Sequence, residues 1–325
     1  MAWARIGRIR PRLLKSGSAY ILIGVMIPGF TARQVETSNG AIFVAERGVG
    51  SAVLMLHGFP ETHLMWRDIA PTLAASLSVV CADLPGYGRS SCPPSDPQHS
   101  PYSKRAMARA LIEMMSVLGH DRFAVIGHDR GGRVAYRMAI DHPTVVSKVA
   151  VLDVIPTGAV WDRADARLTL GFWPFSLLAQ PSPLPERLIG ACPEAVIDDA
   201  LGNWGSASDV FPPDVRAAYV DALRDPIHIH AICEEYRAAA TIDHEHDRAD
   251  ANDGRRIGVP LLALWSETGA LNSWYQAEGG PLAIWRGLAD DVRGNAVRGG
   301  HFFPEEDPVR TAEILRDFLT VPSRE

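Results

Sequence analysis

Cysteine is scarce in this chain. There are four, Cys81, Cys92, Cys192 and Cys233, and none falls in a C-x-x-C or other metal-binding spacing. That pattern excludes a disulfide-stapled scaffold and a cysteine zinc site as the basis of the fold, and it reads as the reduced thiols of a cytoplasmic protein. Positive charge is not in excess either: 32 Lys and Arg face 38 Asp and Glu, a net charge of −6. A nucleic-acid surface is therefore not expected. No apolar run reaches the roughly 20 residues that cross a bilayer, so no membrane partner is expected. Internal repeats and low-complexity segments are missing too. What remains is 325 residues of ordinary globular composition, enough for one large α/β domain with an inserted subdomain.

Residues 1–27 stand apart. Arg5, Arg8, Arg10, Arg12 and Lys15 precede the apolar run Ala19–Ile27, which has the length of a signal-peptide core. No A-x-A-like cleavage site follows. A secretory or periplasmic signal is one reading. A start at Met26, with the preceding residues an extension of no structural role, is preferred, because the cysteines suit a reducing compartment.

From there the chain alternates strands and helices. Gln34–Thr37 and Ile42–Glu46 flank the hairpin signal Asn39-Gly40. Buried strands are expected at Ala52–Leu56, Ser78–Ala82, Val149–Leu152 and Val259–Trp265, and a further strand at Val292–Val297. Helices are expected at Leu64–Ala74, Lys104–Leu118, around Leu282–Leu288 and at Pro308–Leu319. The alternation implies an α/β fold with a mostly parallel sheet and a ligand site beyond the strand C-termini. Residues 156–250 break the rhythm and read as an inserted cap. The core is then 28–155 and 251–325.

The informative stretch is Val125-Ile126-Gly127-His128-Asp129-Arg130-Gly131-Gly132-Arg133. An apolar strand leads in and a helical pattern follows. Gly127-x-Asp129-x-Gly131 is the nucleophile-elbow pattern G-x-S-x-G with Asp at the nucleophile position. A carboxylate there can attack carbon and leave an ester for water to cleave. His301, after the last strand in Gly299-Gly300-His301-Phe302, is the candidate base. Asp153 and Glu267, each at the end of a strand, are candidates to orient it, with Asp153 preferred after the buried Ala150-Val151-Leu152. The His57-Gly58-Phe59 loop and the N–H of Arg130 can bind an oxyanion, with Phe59 as site wall. Arg130 and Arg133, i and i+3 on the first helical turn, make a site for a substrate carboxylate. The run Asp243-His244-Glu245-His246-Asp247 reads as a solvated loop rather than a metal site.

From the elbow outward the chain resembles the fluoroacetate (haloacetate) dehalogenases of the α/β-hydrolase superfamily. The matching pieces are His57-Gly58-Phe59-Pro60, the Asp83–Ser90 loop, Asp129-Arg130-x-x-Arg133, Leu152–Thr157, Leu178–Pro181, Cys233–Arg237 and Gly300–Glu305. The resemblance implies the α/β-hydrolase fold, an eight-stranded mostly parallel sheet flanked by helices, with a helical cap. It implies Asp129 as nucleophile, His301 as base with Asp153, Arg130 and Arg133 as carboxylate clamps, and Trp173 and Tyr236 as halide-binding donors on the cap. It also implies a haloacid substrate with water, no metal or other cofactor, and a homodimer. One position departs from it: Phe172 stands where the fluoride-binding members carry His, which puts defluorination in doubt. An epoxide hydrolase with the same Asp-His-Asp machinery is the alternative. It requires acids on the cap, of which Tyr236 is one and Trp173 is none. A non-enzymatic binding protein is a third reading, and the intact triad argues against it.

Overall fold

In the computed structural model, residues 25–207 and 209–321 are described. Eight strands form one sheet: β1 (Thr31–Thr37), β2 (Gly40–Arg47), β3 (Ala52–Leu56), β4 (Ser78–Ala82), β5 (Phe123–His128), β6 (Val146–Leu152), β7 (Leu261–Ser266) and β8 (Val292–Val297). Their spatial order is β1-β2-β4-β3-β5-β6-β7-β8. The β1–β2 hairpin and the β2–β4 pair are antiparallel. All other neighbours are parallel. Every residue of β3 and β5 is buried. Helices cover both faces of such a sheet, which is why its central strands read as continuous apolar runs rather than as alternation.

The segment between β6 and β7 holds only helices among its described residues, from Thr157–Asp162 to Ile242–Asn252. Three expectations change. The helix foreseen over Leu64–Ala74 is a 3₁₀ turn at His63–Trp66 followed by a short helix at Ala70–Leu73. Pro71 explains the break: it has no N–H for the Arg67 carbonyl and its ring crowds that carbonyl. The Asp243–Asp247 run is not a solvated loop but the first turns of the helix Ile242–Asn252. Asp243 is buried and accepts from the Lys104 N–H at 2.8 Å. Asp247 accepts from the Tyr136 hydroxyl at 2.7 Å and from the Gly158 N–H at 2.8 Å. These charges fasten the helical segment to the sheet domain. Finally, Val25, Met26 and Ile27, assigned by the sequence to the extension, pack on the core, and Ile27 is buried. The remainder of that extension lies outside the described residues.

Candidate active site

The elbow forms where the sequence places it. β5 ends at His128, and the helix Asp129–Asp141 starts at once. Asp129 is held at φ +43°, a left-handed conformation that costs a non-glycine residue energy and that packing must enforce. The turn closes because its glycines have no side chain. A Cβ on Gly127 would sit 2.3 Å from the Gly131 carbonyl oxygen, and one on Gly131 would sit 2.4 Å from the His57 carbonyl oxygen.

Three strand ends converge on Asp129. Asp153 follows β6, which pairs with β5, and also has a positive φ of 48°. His301 follows β8. Its Nδ1 lies 2.6 Å from Asp153 Oδ2, so Asp153, not Glu267, partners the histidine. Glu267 is exposed. The sequence reading missed Ser266, at the end of the intervening β7. Its N–H donates to Asp153 Oδ1 at 2.8 Å and its hydroxyl to the Gly299 carbonyl at 2.5 Å. One serine therefore ties the Asp to the loop that carries the His.

The Asp129 carboxylate is oriented. The Phe59 N–H donates to Oδ2 at 3.0 Å, which leaves Oδ1 to face a reacting carbon. Burial pushes the Asp129 carboxyl up, but His301, Arg130, His128 and Arg133 outweigh it and hold the group below its usual range. The side chain is thus anionic at neutral pH, the form that a nucleophilic carboxylate requires.

The two arginines divide their work. Arg130 is fully buried and grips Glu235: Nε lies 2.8 Å from Oε2, and Nη2 lies 2.6 Å from Oε1. Lys104 pairs with the same carboxylate. The Arg130 guanidinium stacks on the Tyr236 ring at 4.0 Å. Arg133 Nη1 donates to the Ile155 carbonyl at 3.1 Å. Each guanidinium keeps one buried nitrogen without a partner, Nη1 of Arg130 and Nε of Arg133. An unmade buried hydrogen bond costs about 1–3 kcal/mol, so a ligand that accepts from these nitrogens recovers that cost. Glu235 was not foreseen. It lies on a different segment, and only packing reveals the pair.

Asp129, Arg133, Asp153 and His301 line one cavity of about 380 Å³. Its remaining wall includes Phe172, Phe175, Leu271, Trp274 and Tyr275, an aromatic lining of which the sequence reading singled out only Phe172. Trp173 is not part of that wall: its indole N–H donates to Asp199 at 2.6 Å. Its ring stands edge-on to Phe59, as does that of Tyr236. Phe59, Tyr236 and Arg130 are likewise absent from that wall, and the Trp173 donor expected to meet a halide is committed elsewhere. Among the described residues no group of three or more His, Cys, Asp and Glu is placed to hold a metal ion.

Beneath the site runs a buried chain of titratable groups. His128 Nε2 lies 2.9 Å from the His301 carbonyl, and its Nδ1 lies 3.1 Å from Glu61 Oε2. Glu61 meets Glu305, which also pairs with Arg67 and accepts from the Tyr219 hydroxyl at 3.2 Å. Burial is the main cause that moves Glu61 from 4.5 to about 7. The folded state then binds this proton more tightly than the unfolded chain does. The associated stability is fully present below pH 4.5 and is lost as pH rises through about 7. Urea unfolding should show wild type losing stability over that window while Glu61→Gln stays flatter. Parallel losses in the two proteins would mean that Glu61 is not the titrating group.

Known proteins identify the family. The family described as alpha/beta hydrolase fold matches residues 51–280, and the chain belongs to it: the protein is a hydrolase of the α/β-hydrolase fold. Within that family it is similar to a fluoroacetate dehalogenase from Burkholderia sp, 42% identical over 91% of this chain and 95% of the relative. It is also 30% identical to a soluble epoxide hydrolase from Corynebacterium sp. (strain C12), over 86% of this chain and 93% of that one. A crystal structure from Nostoc sp PCC 7120, provisionally described as an α/β hydrolase, superposes with a TM-score of 0.88 at 44% identity, covering 91% of this chain and all of the other.

Proposed function

We propose that this protein hydrolyses the carbon–halogen bond of short 2-haloacids through an ester on Asp129. The observation that carries this reading is a carboxylate nucleophile, a His–Asp pair and an arginine with an unpaired buried nitrogen in the wall of one cavity. Arg133, which lines the cavity, binds the substrate carboxylate and aligns the adjacent carbon with Asp129 Oδ1, and Arg130 on the same helical turn adds its positive charge. Oδ1 forms the new bond, and the halide leaves with the electron pair of the broken one. His301 then takes a proton from water, whose oxygen attacks Cγ of Asp129. The negative charge that develops on Oδ2 is met by the N–H groups of Phe59 and Arg130. Collapse breaks the Cγ–Oδ1 bond, and the departing alkoxide takes the proton from His301. The sum is haloacid plus water to hydroxyacid, halide and a proton. The helices between β6 and β7 serve as the cap. The family resemblance supports a homodimer, and the free cysteines support a cytoplasmic location.

Wild type should release halide from chloroacetate, and Arg133→Met should lose at least the roughly 1.5–3 kcal/mol of a charged hydrogen bond in kcat/KM. Chloroacetamide, which lacks the anion, should be a poor substrate. Equal turnover of acid and amide would rule the clamp out.

Epoxide opening is the second reading, favoured by one observation: Tyr275 lines the cavity, a tyrosine besides Tyr236, whose ring packs against Phe59. Burial, however, pushes both hydroxyls above their usual range, which makes them weaker proton donors to an epoxide oxygen. Diol formation from a panel of aryl epoxides, without halide release from haloacids, would favour that reading.

A further inference from the structure

A second cavity, of about 560 Å³, meets the first at Asp153, Phe172 and His301. The rest of its wall is different in kind. It consists of Gly171, Asn203, Trp204, Gly205, Thr268, Gly269 and Ala270, mostly backbone and small polar groups. Gly171, Asn203, Gly205 and Thr268 are exposed, so the cavity opens to solvent. The segment that bounds it is fixed to the catalytic loop: the His301 N–H donates to the Trp204 carbonyl at 2.8 Å. The Phe172 ring stands edge-on to His301 at 5.8 Å and contributes to the walls of both spaces.

Resting on the haloacid reading, we propose that this second cavity supplies the hydrolytic water to His301 by a route separate from that of the substrate. Charge sorts the two routes. The first cavity presents Arg133 to an anion. Both spaces share the Asp153 carboxylate, but among the described residues the wall of the second has no lysine or arginine to offset it. A haloacid or a halide ion entering it would meet like charge in a partly desolvated space, whereas water bears no such cost. The separation also suits the chemistry. While the ester stands on Asp129, the substrate side is filled, and water that arrives beside His301 meets the base directly.

The test separates the two chemical steps. Ala270→Phe and Asn203→Leu, neither in the catalytic machinery, narrow the second cavity and make it less polar. In rapid-quench experiments with chloroacetate, both variants should show a burst of about one halide per active site at the wild-type first-turnover rate, while subsequent turnover falls by about tenfold or more. Intact-mass spectra should show the ester accumulating on the enzyme in the steady state. Unchanged turnover in both folded variants would overturn the proposal, as would a slowed burst, which would make the cavity a substrate route. A wild type that releases no halide from chloroacetate would overturn the haloacid reading and this proposal together, whereas a first halide released at the normal rate with unaltered later turnover overturns this one alone. If one substitution prevents folding, the other carries the same test.

Discussion

His301→Ala will release one halide per active site from chloroacetate and then stop. Attack by Asp129 needs only an oriented carboxylate and an aligned carbon, and the Phe59 N–H fixes Oδ2 without help from the histidine. Hydrolysis needs a base, and the imidazole held by Asp153 at 2.6 Å is the group placed to act as one. Removing it should cost steady-state turnover on the order of 10⁴-fold or more, the scale seen when one member of a catalytic triad is deleted. Mass spectrometry of the quenched variant should find a carboxymethyl ester, the glycolate adduct, on the peptide that contains Asp129. Asp129→Asn should give no halide once deamidation has been excluded by mass. Single turnover in water labelled with heavy oxygen should leave the label in the enzyme rather than in the hydroxyacid, because water attacks Cγ. Activity retained in Asp129→Asn, with no adduct in His301→Ala, would sink the ester mechanism.

Chloroacetate and bromoacetate should outpace fluoroacetate by on the order of a hundredfold. Fluoride concentrates its charge and depends most on donors aimed at the breaking bond. Phe172 lines the cavity at the position where the family resemblance leads one to expect a histidine, and a phenyl ring donates nothing. The Trp173 N–H, another expected donor, is held by Asp199, and Tyr236, the remaining one, is buried outside the cavity wall. A donor aimed at developing charge in a dry site is worth about 2.7–4 kcal/mol. Phe172→His should therefore raise kcat/KM for fluoroacetate selectively, with little change for the better leaving groups. Asp199→Asn, which loosens the hold on the Trp173 indole, should act in the same direction. Measured kcat/KM for the three haloacetates in these proteins decides the matter. A wild type that already prefers fluoroacetate would show the donor argument to be wrong.

Several features were legible in the sequence because short-range physics sets them. The β5–elbow–helix turn is determined by two glycines that leave no room for a Cβ, next to an apolar strand and a helical repeat. The hairpin at Asn39-Gly40 and the helices Lys104–Val117 and Pro308–Thr320 follow from turn chemistry and periodicity over a few residues. Asp129, Asp153 and His301 follow β5, β6 and β8, and their nearness could be expected from the sequence, since parallel strands present their C-termini at one edge. The choice of Asp153 over Glu267 already needed the tertiary structure, because both residues end strands and only the turn after β6 aims its carboxylate at His301. Long-range pairing decided the rest. Arg130 meets Glu235 and Trp173 meets Asp199. Ser266 bridges two loops, His128 reaches Glu61, and Asp243 and Asp247 anchor a helix that their charge made look like a solvated loop. A side chain's type states which bonds it can make. Which partner lies within about 3 Å is set by how distant segments pack, and no local pattern of residues encodes that distance.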